Sequence, residues 1–113
     1  MNNQPRIVDL SAYCDTGSLV ISGRPKGEEL RSKLDLDSED KRPGQVEIIV
    51  PTHIISLNSS FFLGLFAQSV QSLGPEGFDE KYVFRAIPEI WEDIEEGKRE
   101  ALEESNPLPA ARG

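Results

Sequence analysis

The chain has 113 residues and a net charge of −8 at pH 7, from 20 acidic and 12 basic side chains. This length is typical of one domain with a single modest hydrophobic core. Because proteins that bind nucleic acids use Lys and Arg to displace counterions from phosphates, the excess of negative charge argues against a nucleic-acid-binding protein. The longest unbroken apolar run, Phe61 to Ala67, is far shorter than the roughly 20 residues that a membrane-spanning helix needs.

The sequence predicts a reduced, cytoplasmic setting. It does not open with a basic and then apolar signal segment, and its one cysteine, Cys14, has no second cysteine with which to form an internal disulfide. The polar ends predict flexible tails at residues 1–5 and 106–113, on either side of one domain at 6–105.

The first predicted elements are two strands, Ile7 to Tyr13 and Ser18 to Ser22. The turn-rich stretch CDTGS lies between them, so the pattern favours an antiparallel hairpin. A helix is predicted next at 24–36, with Pro25 in its first turn. A polar loop follows, and then the β-branched run QVEIIV is typical of a strand in a parallel sheet that is buried on both faces.

Residues 48–75 hold no charged side chain, unlike the rest of the chain. Asn58, Ser59 and Ser60 are residue types that cap helices by accepting hydrogen bonds from free backbone N–H groups. The apolar residues behind them recur with helical spacing, and Gly74-Pro75 supplies a stop signal. The pattern therefore predicts a helix over 58–73.

The last predicted elements are a strand at 81–87 and a helix at 88–104. Trp91 is expected to be mostly buried, because Ile90 and Ile94 flank it. The order β-β-α-β-α-β-α predicts an α/β fold with a four-stranded mixed sheet packed by helices.

Two stretches carry a resemblance to a known family: ISGRPKGEELRSKL after the first two strands, and VEIIVPTHIISLNSSFFLGLF around the third. Together with FDEKYVFRAIPEIWEDIEEGKREAL they resemble the bacterial STAS-like domain of unknown function. That family is related to the STAS domains of anti-sigma factor antagonists and sulfate transporters. The likeness extends over residues 6–105, and its most telling pieces are SGRPKGEELR and SSFFLGLF.

The resemblance implies a regulatory protein-protein interaction module and not an enzyme. In the antagonists, a serine at the start of a long helix is phosphorylated by a partner with a histidine-kinase-like ATPase fold. Aligning their Asp-Ser-Ser-Gly pattern with NSSF places Ser59 at the phosphorylated serine and Ser60 at the next one. Asn58 replaces the Asp and Phe61 replaces the Gly.

The partner-binding surface is expected to be formed by Ser59 and Ser60, together with Asn58, Thr52 and His53 from the preceding loop. Beside this hypothesis stands the simpler interpretation that Ser59 or Ser60 only caps a buried helix.

Two other functions stay open at this point. The first is an acidic inhibitor or nucleic-acid mimic, such as phages encode, that blocks a basic partner protein through the acidic stretch between Glu76 and Glu104. The second is a small hydrolase that uses His53 and Ser59, although the sequence contains no nucleophile-elbow pattern. No cofactor is predicted, and one His and one Cys are too few for the usual metal clusters.

Overall fold

The computed structural model describes residues 6–14 and 17–105. The predicted tails at 1–5 and 106–113 therefore lie outside the described residues. The elements, in chain order, are β1 Arg6–Asp9, a short 3₁₀ helix Leu10–Tyr13, β2 Val20–Ile21, α1 Arg24–Leu34, α2 Leu36–Lys41, β3 Val46–Ile49, β4 Ser56–Leu57, α3 Ser59–Lys81, β5 Tyr82–Arg85 and α4 Pro88–Ser105.

The strands form two separate parallel sheets. The larger has the order β1-β3-β5, with Arg6 aligned with Val46 and Val46 aligned with Tyr82. The smaller is the pair β2-β4, in which Val20 is aligned with Ser56. The α/β class is confirmed and so is a parallel sheet around QVEIIV, but the prediction of one four-stranded mixed sheet is wrong.

The predicted antiparallel hairpin is also wrong. β1 ends at Asp9, whose side-chain oxygen Oδ1 accepts a 3.0 Å hydrogen bond from the Ser11 N–H and so caps the 3₁₀ helix. This cap takes the chain out of the sheet before Tyr13. β1 and β2 then pair with different partners, because each lies beside a strand from later in the chain.

One face of the larger sheet packs on the helices. Along β3 the burial alternates, with Val46 and Ile48 buried and Glu47 and Ile49 only half-buried. On the buried face, Tyr82 and Phe84 meet phenylalanines of α3, with ring centroids 5.0–6.1 Å apart. The molecule is thus a two-layer arrangement whose core lies between the sheet and the helices.

α3 is longer than the sequence predicts. Gly74 adopts φ 80° and ψ 163°, a conformation that only glycine adopts easily, and it interrupts the helix at the predicted stop. The chain resumes helical geometry at Pro75, whose ring suits a first helical position, and continues to Lys81. This second segment places Phe78 in the core.

Two further predictions need correction. α1 ends at Leu34, and Asp35 turns the chain with a left-handed φ of 55° into α2, where a polar loop was expected. The fully buried Leu36 anchors that extra helix. Trp91 is 40% exposed, because the buried stripe of α4 runs through Ile90 and Ile94 and the tryptophan lies one position outside it.

Candidate protein-docking site at the start of α3

The first turn of α3 is capped by the side chain that the sequence singles out. The Oδ1 atom of Asn58 accepts hydrogen bonds from the Ser60 N–H at 2.8 Å and from the Ser60 hydroxyl at 2.6 Å. Asn58 itself has extended backbone angles, as an N-cap residue requires. The predicted helix start at this position is confirmed.

The two serines have different surroundings. The Ser60 hydroxyl donates a hydrogen bond to Asn58 and accepts a 3.3 Å hydrogen bond from the Gly23 N–H. It is therefore engaged both as a donor and as an acceptor. The Ser59 side chain is half-buried and makes no hydrogen bond with other described residues. Of the two hydroxyls, that of Ser59 is the one whose modification would break no existing hydrogen bond.

The smaller sheet fixes where this turn lies. The Asn58 N–H donates to the carbonyl of Ile21 at 2.8 Å, which ties the cap to the end of β2. Within β4, the Leu57 N–H donates to Oδ2 of Asp93 at 2.7 Å, which connects the same segment to α4. The start of α3 is therefore held between β2 and α4, and sequence spacing gives no signal for the part played by Asp93.

Three large apolar side chains are exposed at the beginning of the β2-β4 pair: Val20 in β2 is 47% exposed, and Leu19 and Ile55, which directly precede β2 and β4, are 52% and 55% exposed. We refer to Leu19, Val20 and Ile55 as the apolar patch. The Ile55 N–H donates to the Leu19 carbonyl at 2.8 Å, so the patch is built from neighbouring backbone positions. Neighbouring exposed apolar residues mark interaction surfaces more often than single scattered ones do.

Thr52 and His53 occupy the turn between β3 and β4. Both are exposed, and the turn is closed by a 3.0 Å hydrogen bond from the Ile54 N–H to the Pro51 carbonyl. Within the described part of the chain, no hydrogen bond or ion pair joins either residue to Ser59 or Ser60. The structure thus brings Asn58 and Ser60 into direct contact but gives no such contact to His53, and none of the described carboxylates forms a hydrogen bond or an ion pair with its ring.

A buried polar cluster that sequence reasoning missed lies on the other side of α3. The guanidinium of Arg31 donates to the Leu65 carbonyl and to the Ser69 hydroxyl, both at 2.9 Å, and forms ion pairs with Asp37 and Asp40. Only 7% of Arg31 is exposed. The arginine thereby joins α1, α2 and α3.

Tyr82 completes this cluster from the sheet. Its hydroxyl donates to Oδ1 of Asp40 at 2.6 Å. Burial, the hydrogen bond to Asp40 and the negative charge of that carboxylate raise the pKa of Tyr82 well above its ordinary value. Tyr82 is therefore a neutral hydrogen-bond donor at any physiological pH, and the cluster is structural in character.

A second charged cluster surrounds Glu39 of α2. Its carboxylate accepts two 2.6 Å hydrogen bonds from Arg6 and lies 3.6 Å from the ammonium of Lys81. Burial alone would raise the pKa of Glu39, but Arg6, Lys81 and Arg42 more than offset it, so the pKa lies below its ordinary value. These contacts connect α2 to the first residue of β1 and to the last residue of α3.

Among residues 6–14 and 17–105, no group of three or more His, Cys, Asp or Glu side chains is arranged to hold a metal ion. None of the helices in this described part is both long and apolar enough to cross a membrane.

Comparisons with known proteins return no match: no family model, no curated protein and no solved structure is similar to this chain. The resemblance to STAS-like domains accordingly stays a prediction.

Proposed function

We propose that this chain is a non-enzymatic regulatory module of STAS-like type, which binds a protein partner through the start of α3 and the apolar patch. The observation that carries the proposal is the position of the patch. Val20 lies in β2, and Leu19 and Ile55 directly precede β2 and β4. β4 leads into the capped turn of α3, and β2 is joined to that turn by the hydrogen bond from the Asn58 N–H to the Ile21 carbonyl. A surface with apolar residues at its centre and polar groups beside them is typical of protein-protein interfaces.

The partner we propose is a histidine-kinase-like ATPase, and this choice rests on the family resemblance. Ser59 is the proposed site of phosphorylation, because its hydroxyl has no hydrogen-bond partner among the described residues while that of Ser60 has two. The first backbone N–H groups of a helix and its dipole favour a negative group at this position. Phosphorylation would therefore be tolerated by the fold and would place charge beside an interface.

The experiment is a binding titration with a purified histidine-kinase-like ATPase encoded in the same genome. We expect the Ser59→Asp variant to bind at least about tenfold more weakly than wild type, because a desolvated and unpaired charge opposes docking. Ser59→Asn, which has a similar shape and no charge, isolates the electrostatic part. Gln68→Glu, an exposed position farther along α3, adds the same charge outside the site.

Incubation of the complex with ATP tests the regulatory part. A phosphate is expected on wild type and on Ser60→Ala, and none on Ser59→Ala. If Ser59→Asp binds as tightly as wild type, the docking surface lies elsewhere and the turn is only a cap.

One observation favours the second candidate, an acidic inhibitor of a basic protein. The outer face of α4 exposes a row of carboxylates, namely Glu89, Glu92, Glu95, Glu96 and Glu103. Binding through this face would weaken steeply with salt, since exposed charges are screened within about 10 Å at 0.1 M ionic strength. Binding through the apolar patch would depend little on salt, so a titration at two salt concentrations separates the two candidates.

A further inference from the structure

A cleft of about 270 Å³ lies between α1 and the 3₁₀ helix, and none of its lining residues belongs to the proposed docking surface. The buried side chains of Leu30 and Phe61 form its apolar base. The exposed side chains of Lys26 and Lys33 lie on its rim. The cleft thus has a small apolar base and a polar rim that carries two cations.

Lys26 and Lys33 differ from most of the basic residues that the structure describes. Most of the described arginines and lysines form an ion pair, for example Arg24 with Glu104 and Lys98 with Asp79. Lys26 and Lys33 form no ion pair or hydrogen bond with any described residue, although the chain carries 20 acidic side chains. Two ammonium groups that have no ion-pair partner within the described part of the chain therefore lie at one cleft of an acidic protein.

The spacing of the two lysines suits one small ligand. They are two turns apart on the same face of α1, or about 10 Å along the helix axis. Glu29 lies between them on the rim and is also without an ion pair among the described residues. Among the described residues that line the cleft, these three charges sum to a single positive charge, which complements a ligand that carries one negative charge.

Tyr13 and Cys14 line the opposite wall, from the end of the 3₁₀ helix. Tyr13 is exposed, so its ring and hydroxyl add a flat surface and a hydrogen-bonding group to the cleft. Ligand sites in proteins are commonly clefts of about 300–1,000 Å³ in which a few polar groups fix the orientation of the ligand. This cleft lies just below that range, which restricts it to a small ligand.

We propose that this cleft binds a small organic monoanion with an apolar, aromatic body. The body would lie against Leu30 and Phe61, and the anionic group would pair with Lys26 or Lys33. This site is separate from the proposed partner-docking surface, so either proposal can fail without the other.

The test uses 8-anilinonaphthalene-1-sulfonate, an aromatic fluorophore with one sulfonate group, as the probe. Fluorescence titration of the full chain should give saturable binding with one site. The double variant Lys26→Gln/Lys33→Gln should weaken that binding about fivefold or more, since two favourable charges are lost. The matched control is Lys41→Gln, which removes an exposed lysine of α2 that also has no ion pair among the described residues and should change the affinity less than about twofold.

Amide chemical shifts then locate the probe. Perturbations should centre on Tyr13, Lys26, Leu30 and Lys33, with a well-dispersed spectrum that shows the protein is folded. The proposal is overturned if the double variant and the Lys41 variant bind equally, or if the perturbed amides are those of the apolar patch. Binding of a short polyglutamate peptide in place of the probe, with the same dependence on the two lysines, would also overturn it and assign the cleft to an acidic peptide.

Discussion

Gly27 of α1 and Gly64 of α3 each face the backbone of the opposite helix at the point where the two helices meet. A Cβ atom added to Gly27 would lie under 3.0 Å from the Phe61 carbonyl oxygen, and one added to Gly64 would be equally close to the Arg24 carbonyl oxygen. The obstructing atoms belong to backbone and cannot rotate away. The two sequence pieces that carry the family resemblance, SGRPKGEELR and SSFFLGLF, are therefore in direct contact through their glycines.

Replacing either glycine with alanine should destabilise the protein by about 1–3 kcal/mol, because the helices must separate to admit a methyl group. Alanine would otherwise favour a helix by up to about 1 kcal/mol over glycine, so a loss of stability points to the contact itself. Gly77→Ala is the control, since its added Cβ would meet only the Leu73 side chain. Chemical denaturation measures all three variants, and a stabilised Gly64→Ala protein would contradict the close packing.

Asn58→Ala should cost about 1 kcal/mol of stability through loss of the helix cap. Asn58→Asp should retain stability, since a carboxylate can accept the same hydrogen bonds and also favours the positive end of the helix dipole. Thermal unfolding of both variants tests this prediction. Equal stability of the alanine variant and wild type would show that the Ser60 hydrogen bonds contribute nothing.

Tyr82→Phe should destabilise the protein by about 1–2 kcal/mol, because the Asp40 carboxylate loses one of its buried hydrogen-bond donors. Ser69→Ala should have an effect of similar size, since its hydroxyl bridges Arg31 and Asp40. Ser72→Ala, on the exposed part of the same helix, should change stability by less than about 0.5 kcal/mol. Equilibrium unfolding in urea distinguishes these outcomes.

The contribution of Glu39 should depend on pH. Its pKa is lower in the folded protein than its ordinary value of 4.5, so its stabilising effect is complete above pH 4.5 and is lost as the pH falls through the folded-state pKa. Glu39→Gln should therefore be less stable than wild type by about 1–3 kcal/mol at pH 7. The difference should shrink in strongly acidic solution, where the wild-type carboxyl is also neutral. A difference that stays constant with pH would exclude the ion pair with Arg6 as its cause.

Trp91 should report an intermediate environment. Its ring packs edge-on against Phe84, with centroids 6.0 Å apart, while 40% of the residue is in contact with solvent. Trp91→Phe should retain most of the packing and cost less than about 1.5 kcal/mol. The emission maximum of the only tryptophan, measured in the folded and the urea-unfolded protein, should shift only modestly. A large red shift on unfolding would mean that the ring is fully buried.

Helices could be predicted from the sequence where the residues that define them lie next to one another along the chain. The start of α3 follows from Asn58, because the cap lies next to the helix it serves, and α4 follows from Pro88 and a clear apolar stripe. The pairing of strands could not be predicted, because Asp9 diverts the chain after β1 and because β2 pairs with a strand of only two residues.

Of the candidate site, the cap and its serines were identified from the sequence, but the apolar patch was not. Leu19 and Val20 fit the pattern of an ordinary strand, and their exposure depends on what the rest of the fold leaves uncovered. The buried position of Arg31 was missed for the opposite reason. An arginine among acidic residues suggests a solvated helix face, and only the contact with α3 shows that it is enclosed.

The order of strands in the larger sheet has a consequence for how the chain folds. Neither of its ladders joins strands that are close in the sequence: α1 and α2 separate β1 from β3, and β4 and α3 separate β3 from β5. Long loops must close before either ladder gains a hydrogen bond, and chains of this kind fold more slowly than helical bundles of equal size. During synthesis, β1 cannot pair until β3 has been made, and the sheet is completed only after β5 has been made. Contact between α1 and α3 through their glycines becomes possible once the first half of α3 has been made, which is before β5 can complete the sheet.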